Sequence, residues 1–220
     1  MKKIVTPDLA TLVEQLEGAL IDAVEMTWHT PFSIALSGGS TPKQLYASLA
    51  MTPLIEWPKV ELFFGDERPV PPEHPESNFG MVKKVLLDVL APPRPVAHPM
   101  AAEQGDAAAY EQLIRSRVKE VRDGVPVLDL VLLGVGLDGH TASLFPGSPL
   151  LEEKTRLVAM NENPKRMSIT LPLINAAKRV WIIAAGPEKK AILEKVMGKS
   201  GDLPIQKVRP EGELVWWVSS

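Results

Sequence analysis

The sequence predicts an α/β fold in which a mostly parallel sheet is covered by helices on both faces. Short apolar runs that are typical of buried strands alternate along the chain with longer segments of helical periodicity. Three of these runs end in polar, glycine-rich segments, as strands do at the edge of a sheet that binds ligands. No internal repeat, low-complexity tract or clear linker divides the 220 residues. We therefore expect a single domain over residues 1–220.

The first half of the chain predicts three helices and two strands. Thr6-Pro7 is typical of a helix start, with Thr6 as the cap and proline at the first helical position. The helix that follows carries apolar residues at helical spacing, namely Leu9, Leu12, Val13, Leu16, Leu20 and Val24. Buried strands are predicted at Phe32–Leu36 and Val60–Phe64. The other two helices open at Thr41-Pro42, carrying Leu45 and Leu49, and at a Ser77 cap, carrying Phe79, Val82, Leu86 and Val89.

The second half of the chain predicts two more helices and four more strands. A helix is expected near residues 102–122, with Tyr110, Leu113, Ile114 and Val118 facing inward. Strands are predicted at residues 128–133, 157–160, 180–184 and 214–218, of which the first has the strongest pattern. The last helix is expected over residues 187–196, and Trp216-Trp217 is interpreted as packing of the terminal strand.

Composition and charge exclude several classes of function. Hydrophobic residues make up 45% of the chain and charged residues 23%, a balance that fills a core without disulfides. The formal net charge is −3. The chain therefore lacks the excess of basic residues that is typical of proteins that bind nucleic acids or membrane surfaces. Because cysteine is absent, thiolate nucleophiles and Cys-ligated zinc are excluded. No apolar segment follows the N-terminal lysines and no run is long enough to span a bilayer, so we expect a cytoplasmic protein.

The first polar segment, Leu36-Ser37-Gly38-Gly39-Ser40-Thr41-Pro42, has the chemistry of an anion-binding loop. Glycines allow close backbone approach, hydroxyls donate hydrogen bonds, and the predicted helix beyond offers free N–H groups. An ordinary strand-to-helix turn explains the segment alone equally well. The segment is neither a Walker A loop, because the Gly-Lys-Ser/Thr ending is missing, nor a serine-hydrolase elbow, because no glycine closes it.

The second polar segment, Gly65-Asp66-Glu67-Arg68, places two acids and a guanidinium directly after an apolar strand. Arg68 has the planar fork that clamps a phosphate or a carboxylate, and Asp66 can orient a hydroxyl or a histidine. A solvated surface turn would contain the same residues. The position at a strand end beside the other two segments favours a functional role.

The third polar segment, Gly134-Val135-Gly136-Leu137-Asp138-Gly139-His140, has the glycine spacing of a dinucleotide-binding loop. A Rossmann unit needs a helix next, but Pro146 leaves room for at most one turn, so NAD binding is rejected. A histidine on such a loop can take a proton from water and return it to a leaving group, although a structural histidine is the alternative. The other histidines, His29, His74 and His98, show no metal-ligand spacing and are interpreted as surface or loop residues.

Taken in order, these segments resemble the 6-phosphogluconolactonase family. The resemblance also includes Ser77-Asn78, the continuation from Thr141 to Gly147, Arg166 before the segment Ser168 to Pro172, and Gly186-Pro187-Glu188-Lys189. The blocks span most of the chain. They imply a Rossmann-like fold shared with glucosamine-6-phosphate deaminases and ribose-5-phosphate isomerases. They also imply hydrolysis of 6-phospho-D-glucono-1,5-lactone to 6-phosphogluconate in the oxidative pentose phosphate pathway, with no metal or organic cofactor.

The resemblance assigns roles by position. It implies that His140 is the general base that activates water and that Asp66 and Arg68 line the substrate. The loop around the substrate would consist of Gly38, Gly39, Ser40 and Thr41, and Arg166 and Lys189 would add positive charge for the phosphate. Lys190 beside Lys189 leaves the choice of lysine open. The oxyanion donor (Arg68 or backbone amides after Gly136), the group that orients His140 (Asp138, Asp66 or a backbone carbonyl) and the oligomeric state also stay open.

Two other interpretations remain. A deaminase or isomerase of the same fold would use similar loops, but the deaminases carry an aromatic residue where this chain has Arg68 and continue differently after the histidine. A catalytically inactive sugar-phosphate sensor would keep the phosphate site and lose the base, whereas His140, Asp66 and Arg68 are all present.

Overall fold

Strands and helices alternate through the chain, whose computed structural model describes residues 2–27, 31–198 and 202–219. Within these ranges the strands are β1 (Lys2–Thr6), β2 (Phe32–Leu36), β3 (Val60–Phe64), β4 (Asp66–Glu67), β5 (Val96–Ala97), β6 (Val121–Arg122), β7 (Val125–Pro126), β8 (Leu130–Gly134), β9 (Val158–Glu162), β10 (Lys165–Ile169), β11 (Arg179–Ala185) and β12 (Glu213–Ser219). The helices are α1 (Leu9–Glu25), α2 (Ser40–Leu49), α3 (Asn78–Val82), α4 (Ala107–Arg117), α5 (Leu171–Ala176) and α6 (Lys190–Met197). A π-helical turn at Lys83–Leu87 continues α3, and short 3-10 turns lie at Trp57–Lys59, Pro149–Glu152, Pro187–Lys189 and Pro204–Lys207.

Seven strands form a parallel central sheet in the order β1-β12-β11-β8-β2-β3-β5. Every residue of β2 and β3 is buried, so both faces of the sheet are covered at its centre. The buried apolar side chains of the sheet and its helices join in one cluster. These observations confirm the predicted α/β class and the mostly parallel sheet. No helix in the described ranges is both long enough and apolar enough to cross a membrane.

The strand order places a topological switch point between β2 and β8. From β2 the chain adds β3 and β5 on one side of the sheet, and it then returns to place β8, β11 and β12 on the other side. In open parallel sheets, ligands bind at such a point, beyond the carboxyl ends of the strands. The first and third polar segments leave β2 and β8 there.

A small antiparallel sheet, β4-β10-β9, continues from the carboxyl end of β3. Asp66 pairs with Ser168 of β10, and the amide of Ile169 donates to the carbonyl of Gly65 at 2.9 Å. The second polar segment is therefore held as a strand beside the end of the central sheet, not as a free surface turn.

Several predicted elements are confirmed. The strands at Phe32–Leu36 and Val60–Phe64 have the predicted bounds, and the Ser77 hydroxyl accepts from the Gly80 amide at 2.9 Å, as expected of a cap. Trp216 and Trp217 are buried in β12, which confirms their packing role. The helix α2 begins at Ser40, one residue earlier than predicted.

The predicted helix start at Thr6 is wrong. Thr6 ends β1 and pairs with Ser219 of β12, while its hydroxyl donates to the carbonyls of Asp8 and Val218. The cap of α1 is Asp8, whose carboxylate accepts from the Thr11 amide at 2.8 Å. Sheet pairing occupies Thr6, and the next residue able to accept from the first helical turn takes the capping role.

The helix predicted near residues 102–122 is too long at both ends. Its observed counterpart, α4, is capped by Asp106 and ends at Arg117, and Val121 and Arg122 belong to the hairpin of β6 and β7. Asp123 and Gly124 connect these strands with φ angles of 50° and 79°. An Asp-Gly pair in the left-handed region is the usual connection of a two-residue hairpin, so the sequence contained a turn signal at this point.

Four smaller differences concern element ends and sheet membership. The strand predicted at residues 128–133 is β8, Leu130–Gly134. The strand predicted at residues 157–160 is β9, which lies in the small antiparallel sheet. Val89 lies beyond the helical segment and is 50% exposed. The helix predicted over residues 187–196 begins with a 3-10 turn and continues as α6.

Candidate active site

A cleft of about 310 Å³ lies at the carboxyl ends of β2 and β8. All three polar segments contribute to its wall, which confirms the expectation that they meet at one edge of the sheet. The predicted site residues that line it are Gly38, Gly39, Ser40, Thr41, Asp66, Arg68, His140 and Lys189. Arg166 and Lys190 do not line this cleft.

The loop after β2 is held rigidly beneath the cleft. The phenolic oxygen of Tyr46, on α2, accepts from the Ser37 amide at 3.0 Å and donates to the Ser37 carbonyl at 2.9 Å. Gly39 has a φ of 109° and caps α2, and this left-handed conformation favours glycine. The first amides of α2 have no partner within the helix and face the same end of the sheet, where the helix dipole favours an anion.

His140 is held by the turn in which it lies. Its Nδ1 atom is 2.6 Å from Oδ1 of Asp138, and its amide donates to the same oxygen at 3.1 Å. The Gly136 amide donates to the His140 carbonyl at 2.8 Å, which closes the turn. A Cβ atom on Gly136 would lie 2.1 Å from Nδ1 of His140, so only glycine leaves room for the ring. Phe145 packs on the ring at a centroid distance of 4.8 Å.

The Asp138 carboxylate sets the tautomer of His140. Burial raises the pKa of Asp138, but the hydrogen bonds from the His140 amide and ring more than offset it, so the pKa is lowered overall. Asp138 is therefore ionised at neutral pH and accepts a hydrogen bond from the protonated Nδ1 atom. The Nε2 atom is then the nitrogen with a free lone pair, which is the arrangement a general base needs. Of the candidates for orienting His140, the geometry selects Asp138.

Asp66 orients a hydroxyl instead of the histidine. Its Oδ2 atom accepts from the Ser143 hydroxyl at 2.6 Å, and its Oδ1 atom accepts from Nδ2 of Asn78 at 3.2 Å. The Ser143 amide donates to the hydroxyl of Ser168, which is fully buried in β10. Asp66 thus connects the turn after β8 to the small sheet while it lines the cleft.

Arg68 enters the cleft from the loop after β4. Its Nη1 atom donates to the Glu76 carbonyl at 2.5 Å and to Oδ1 of Asn78 at 3.0 Å. Its Nε atom is buried and has no hydrogen-bond partner in the part of the chain that the structure describes. The guanidinium as a whole lines the cleft, where its charge favours an anionic or carbonyl oxygen of a ligand.

Glu67, which lies between Asp66 and Arg68 in the sequence, has a structural role. Its buried carboxylate accepts from the amides of Arg68, Asn78 and Phe79 at 2.8 Å each and from the Ser77 hydroxyl at 3.0 Å. These bonds attach the start of α3 to β4. Glu67 therefore shapes the cleft and is not available to a ligand.

The two adjacent lysines point to different surfaces. The Nζ atom of Lys189 donates to the Val135 carbonyl at 2.9 Å and lies at the cleft. Lys190 is exposed and borders a separate groove with Lys3 and Val5. The geometry therefore selects Lys189 as the lysine of the cleft.

Arg166 lies on β10, two residues before Ser168 and so on the same face of the strand. Its Nη1 atom donates to the carbonyl of Lys165 at 3.1 Å, away from the lining of the cleft. The structure thus brings Arg166 near the site by register but does not place its guanidinium inside.

The expectation that the other histidines are surface or loop residues is confirmed for the two that the structure describes. His74 lies in an exposed loop, as predicted, and His29 lies outside the described residues. His98 follows β5 in a loop, but its side chain is only 11% exposed, contacts Glu61 at 2.9 Å and stacks on Phe63. It is a structural residue of the core edge. Within the described ranges, no group of three or more potential metal ligands occurs.

Two residues that hold the side chain of Asp66 had no assigned role in the sequence analysis. Asn78 was part of the resembling Ser77-Asn78 block, and Ser143 was part of the block after His140, but neither pattern indicates a partner. Both lie within hydrogen-bond distance of Asp66. Their position in those two blocks was the only available signal.

Comparisons with known proteins agree with this site. A family model described as glucosamine-6-phosphate isomerases/6-phosphogluconolactonase matches residues 7–217. A 6-phosphogluconolactonase from Nostoc sp. is 40% identical over 199 residues, which cover 86% of this chain and 82% of that protein. One from Synechocystis sp. is 40% identical over 84% of this chain and 80% of its own length.

A solved structure agrees as well. The 6-phosphogluconolactonase from Trypanosoma cruzi superposes with a TM-score of 0.86 at 31% identity, over 99% of this chain and 94% of that chain. The match runs through the cleft, the central sheet and the terminal strand. The chain therefore belongs to the family of glucosamine-6-phosphate isomerases and 6-phosphogluconolactonases.

Proposed function

We propose that this protein hydrolyses 6-phospho-D-glucono-1,5-lactone to 6-phospho-D-gluconate in the oxidative pentose phosphate pathway. The observation that carries the proposal is the pairing of Nδ1 of His140 with Asp138 in a cleft that also holds an anion-binding loop, Arg68 and Lys189. The names of the relatives support the same activity, since proteins up to 40% identical are 6-phosphogluconolactonases.

The phosphate binds at the loop after β2. Gly38 and Gly39 let the phosphate approach the backbone, and Ser40 and Thr41 offer hydroxyls and the first amides of α2. Lys189, whose Nζ atom lies at the carbonyl of Val135 beside the cleft, supplies positive charge. Arg166 adds a second cation when its guanidinium exchanges the Lys165 carbonyl for a phosphate oxygen.

His140 activates water. With Nδ1 donating to Asp138, Nε2 takes a proton from a water molecule as its oxygen attacks C1 of the lactone. Asp138 stabilises the imidazolium that forms. Binding of the distant phosphate keeps the lactone carbonyl in position for this attack.

Arg68 stabilises the oxyanion. The amides of Gly136, Gly139 and His140 already donate within their own turn, so they are occupied. Arg68, in contrast, lines the cleft with a guanidinium that is always protonated. We therefore assign this guanidinium to the carbonyl oxygen, which gains negative charge in the tetrahedral intermediate.

Ring opening completes the reaction. The intermediate collapses, the bond between C1 and the ring oxygen breaks, and the electron pair goes to that oxygen. The imidazolium of His140 returns the proton from Nε2 to it, which gives the C5 hydroxyl and a C1 carboxylic acid that loses its proton to solvent. Asp66, fixed by Ser143 and Asn78, accepts a hydrogen bond from a sugar hydroxyl.

The proposed function also includes the cofactor requirement, the number of domains and the cell compartment. His140 supplies the general base and Arg68 supplies the positive charge that stabilises the oxyanion, so the proposed mechanism needs no metal or organic cofactor. The single cluster of buried residues supports one domain over residues 1–220. The cytoplasm is the compartment we propose, with neither nucleic acid nor membrane as a partner.

The test follows acid release from freshly prepared lactone, corrected for spontaneous hydrolysis, with the wild type and a His140→Ala variant. We expect acceleration by the wild type and a loss of about 10²- to 10⁴-fold in the variant. Undiminished activity in the variant would move the base to another residue. If the wild type does not accelerate hydrolysis, the lactonase proposal fails, and release of ammonia from glucosamine 6-phosphate becomes the next assay.

A further inference from the structure

Asn78 connects three walls of the cleft through one side-chain amide. Its Nδ2 atom donates to the Asp66 carbonyl at 2.8 Å and to the Asp66 carboxylate at 3.2 Å, while its Oδ1 atom accepts from Nη1 of Arg68 at 3.0 Å. A Cβ atom on Gly38 would lie only 2.0 Å from the same Oδ1 atom. The amide thus packs against the loop after β2 while it is bonded to Asp66 and Arg68 of the second segment.

The amide of asparagine is suited to this place. An acid and a guanidinium only two residues apart would otherwise pair directly with each other. Asn78 donates to the acid and accepts from the guanidinium, so each is held by a neutral group. The carboxylate of Asp66 and the guanidinium of Arg68 stay apart and available to a ligand.

The backbone of Asn78 is held independently of its side chain. Its amide donates to Glu67, as do the amides of Arg68 and Phe79. Asn78 is 4% exposed, and truncating its side chain leaves these backbone bonds in place. The side chain is therefore not needed to attach α3 to β4.

We propose that Asn78 is a positioning residue that fixes the guanidinium of Arg68 and the carboxylate of Asp66 toward the substrate. This inference rests on the proposed function for its kinetic consequence, but not for the placement of Arg68 itself. Glycine at position 38 belongs to the same arrangement, because any side chain there would displace the Asn78 amide.

The kinetic test is a double-mutant cycle on lactone hydrolysis with Asn78→Ala and Arg68→Met. We expect Asn78→Ala to lower kcat/KM by about 10- to 100-fold, as a misplaced substrate-binding group does. In the Arg68→Met background the same change should have a much smaller effect, because the group that it positions is gone. Asn78→Asp, which keeps the size and the acceptor but loses the donor, should also lose activity.

The control is Ser77→Ala. Ser77 caps α3 and bonds to Glu67 but contacts neither Arg68 nor Asp66. This variant should lose stability while its folded fraction keeps kcat/KM within about twofold of the wild type. Equal effects of Ser77→Ala and Asn78→Ala, or additive effects in the cycle, would overturn the positioning role.

A second readout does not depend on turnover. The Nε–H signal of Arg68 in a ¹H–¹⁵N NMR spectrum, assigned by its absence in Arg68→Met, should exchange slowly with water in the wild type because Nε is buried. Asn78→Ala should broaden it or speed its exchange, and Ser77→Ala should not. If the wild type fails to hydrolyse the lactone while this signal responds as expected, the proposed function fails and the positioning role stands. An unchanged signal in Asn78→Ala sinks the positioning role alone.

Discussion

The Nδ1 atom of His140 lies 2.6 Å from Oδ1 of Asp138, two residues earlier in the same turn. The Asp138 carboxylate also accepts from the His140 amide, so one acid holds both the backbone and the ring of the proposed base. A tight glycine-containing turn supplies both members of the pair. The short sequence separation means that the pair forms wherever this turn forms.

This relationship predicts different outcomes for two substitutions of Asp138. Asp138→Asn keeps an oxygen for the His140 amide but removes the charge that stabilises the imidazolium, so we expect kcat/KM to fall about tenfold. Asp138→Ala removes both and should lower kcat/KM about 100-fold. Steady-state kinetics of lactone hydrolysis measure both values. Equal activity of Asp138→Asn and the wild type would show that the charge has no part in catalysis.

Gly136→Ala should inactivate the enzyme. The new Cβ would occupy the position of the His140 ring, 2.1 Å from Nδ1, so the ring must leave its place on Asp138. We expect a loss of kcat/KM of about 100-fold or more, measured on protein whose folding is checked by circular dichroism. Gly18→Ala is the matched control, because a Cβ there meets no atom within 4 Å on α1. It should stabilise the protein by roughly 0.5–1 kcal/mol and leave the kinetics unchanged.

The sequence predicts the centre of the fold well for a physical reason. The strands at Phe32–Leu36 and Val60–Phe64 are buried on both faces, and a mostly apolar run of five residues that ends at a glycine-containing turn is too short for a typical helix. The position of the site also follows from the predicted strands, because the carboxyl ends of parallel strands lie at the same edge of the sheet. One error occurs where tertiary contacts decide, at Thr6, which the pairing with β12 removes from its expected role as a cap. Another, the helix extended to residue 122, missed the local turn signal of Asp123-Gly124.

The partners within the site could not be predicted from spacing. Asp66 and Asp138 are both plausible orienting acids for His140 in the sequence, and only the path of the turn shows that Asp138 reaches it. Asn78 lies ten residues from Arg68, across a loop whose course no periodicity describes. Hydrogen bonds between loops depend on the fold of each loop, which local patterns do not encode.

Lys189→Met should weaken substrate binding, whereas Lys190→Met should not. Lys189 lines the cleft and Lys190 borders another groove, although the two are adjacent and equally charged. Loss of a charge-assisted bond to the phosphate should raise KM by about 10- to 100-fold. The pair is compared by lactone kinetics and by competitive inhibition with inorganic phosphate. The assignment is reversed if Lys190→Met has the larger effect.

Arg166→Met should raise KM for the lactone and the inhibition constant of inorganic phosphate in parallel, each about tenfold. The reason is that its guanidinium exchanges the Lys165 carbonyl for a phosphate oxygen in the proposed complex. Both constants are measured at low salt and in about 0.5 M KCl, where charges that act only from a distance are screened. If the difference from the wild type disappears at high salt, Arg166 acts from the rim and makes no contact.

The buried ion pairs of Glu61 predict how stability depends on pH. Glu61 contacts His98 at 2.9 Å and Arg117 at 2.6 Å, at the end of the sheet away from the cleft. Burial raises the pKa of Glu61, but the bonds from Arg117 and His98 more than offset it, so the folded pKa is below the ordinary value. The direction of this pKa shift determines how the free energy of unfolding changes with pH. A lowered pKa contributes stability that is complete above the unfolded value, and this contribution is lost as the pH falls through the folded value.

Glu61→Gln should therefore destabilise the protein by about 1–3 kcal/mol at pH 7, because the paired groups lose their charged acceptor. The difference in unfolding free energy between variant and wild type should shrink as the pH falls from about 5 towards 3. Urea unfolding at several pH values measures it. Glu56→Gln, which removes an exposed pair with Lys59, serves as the control and should change stability by well under about 1 kcal/mol at any pH. A Glu61→Gln effect that stays constant between pH 4 and 8 would mean that packing, and not the charge of Glu61, stabilises this end of the sheet.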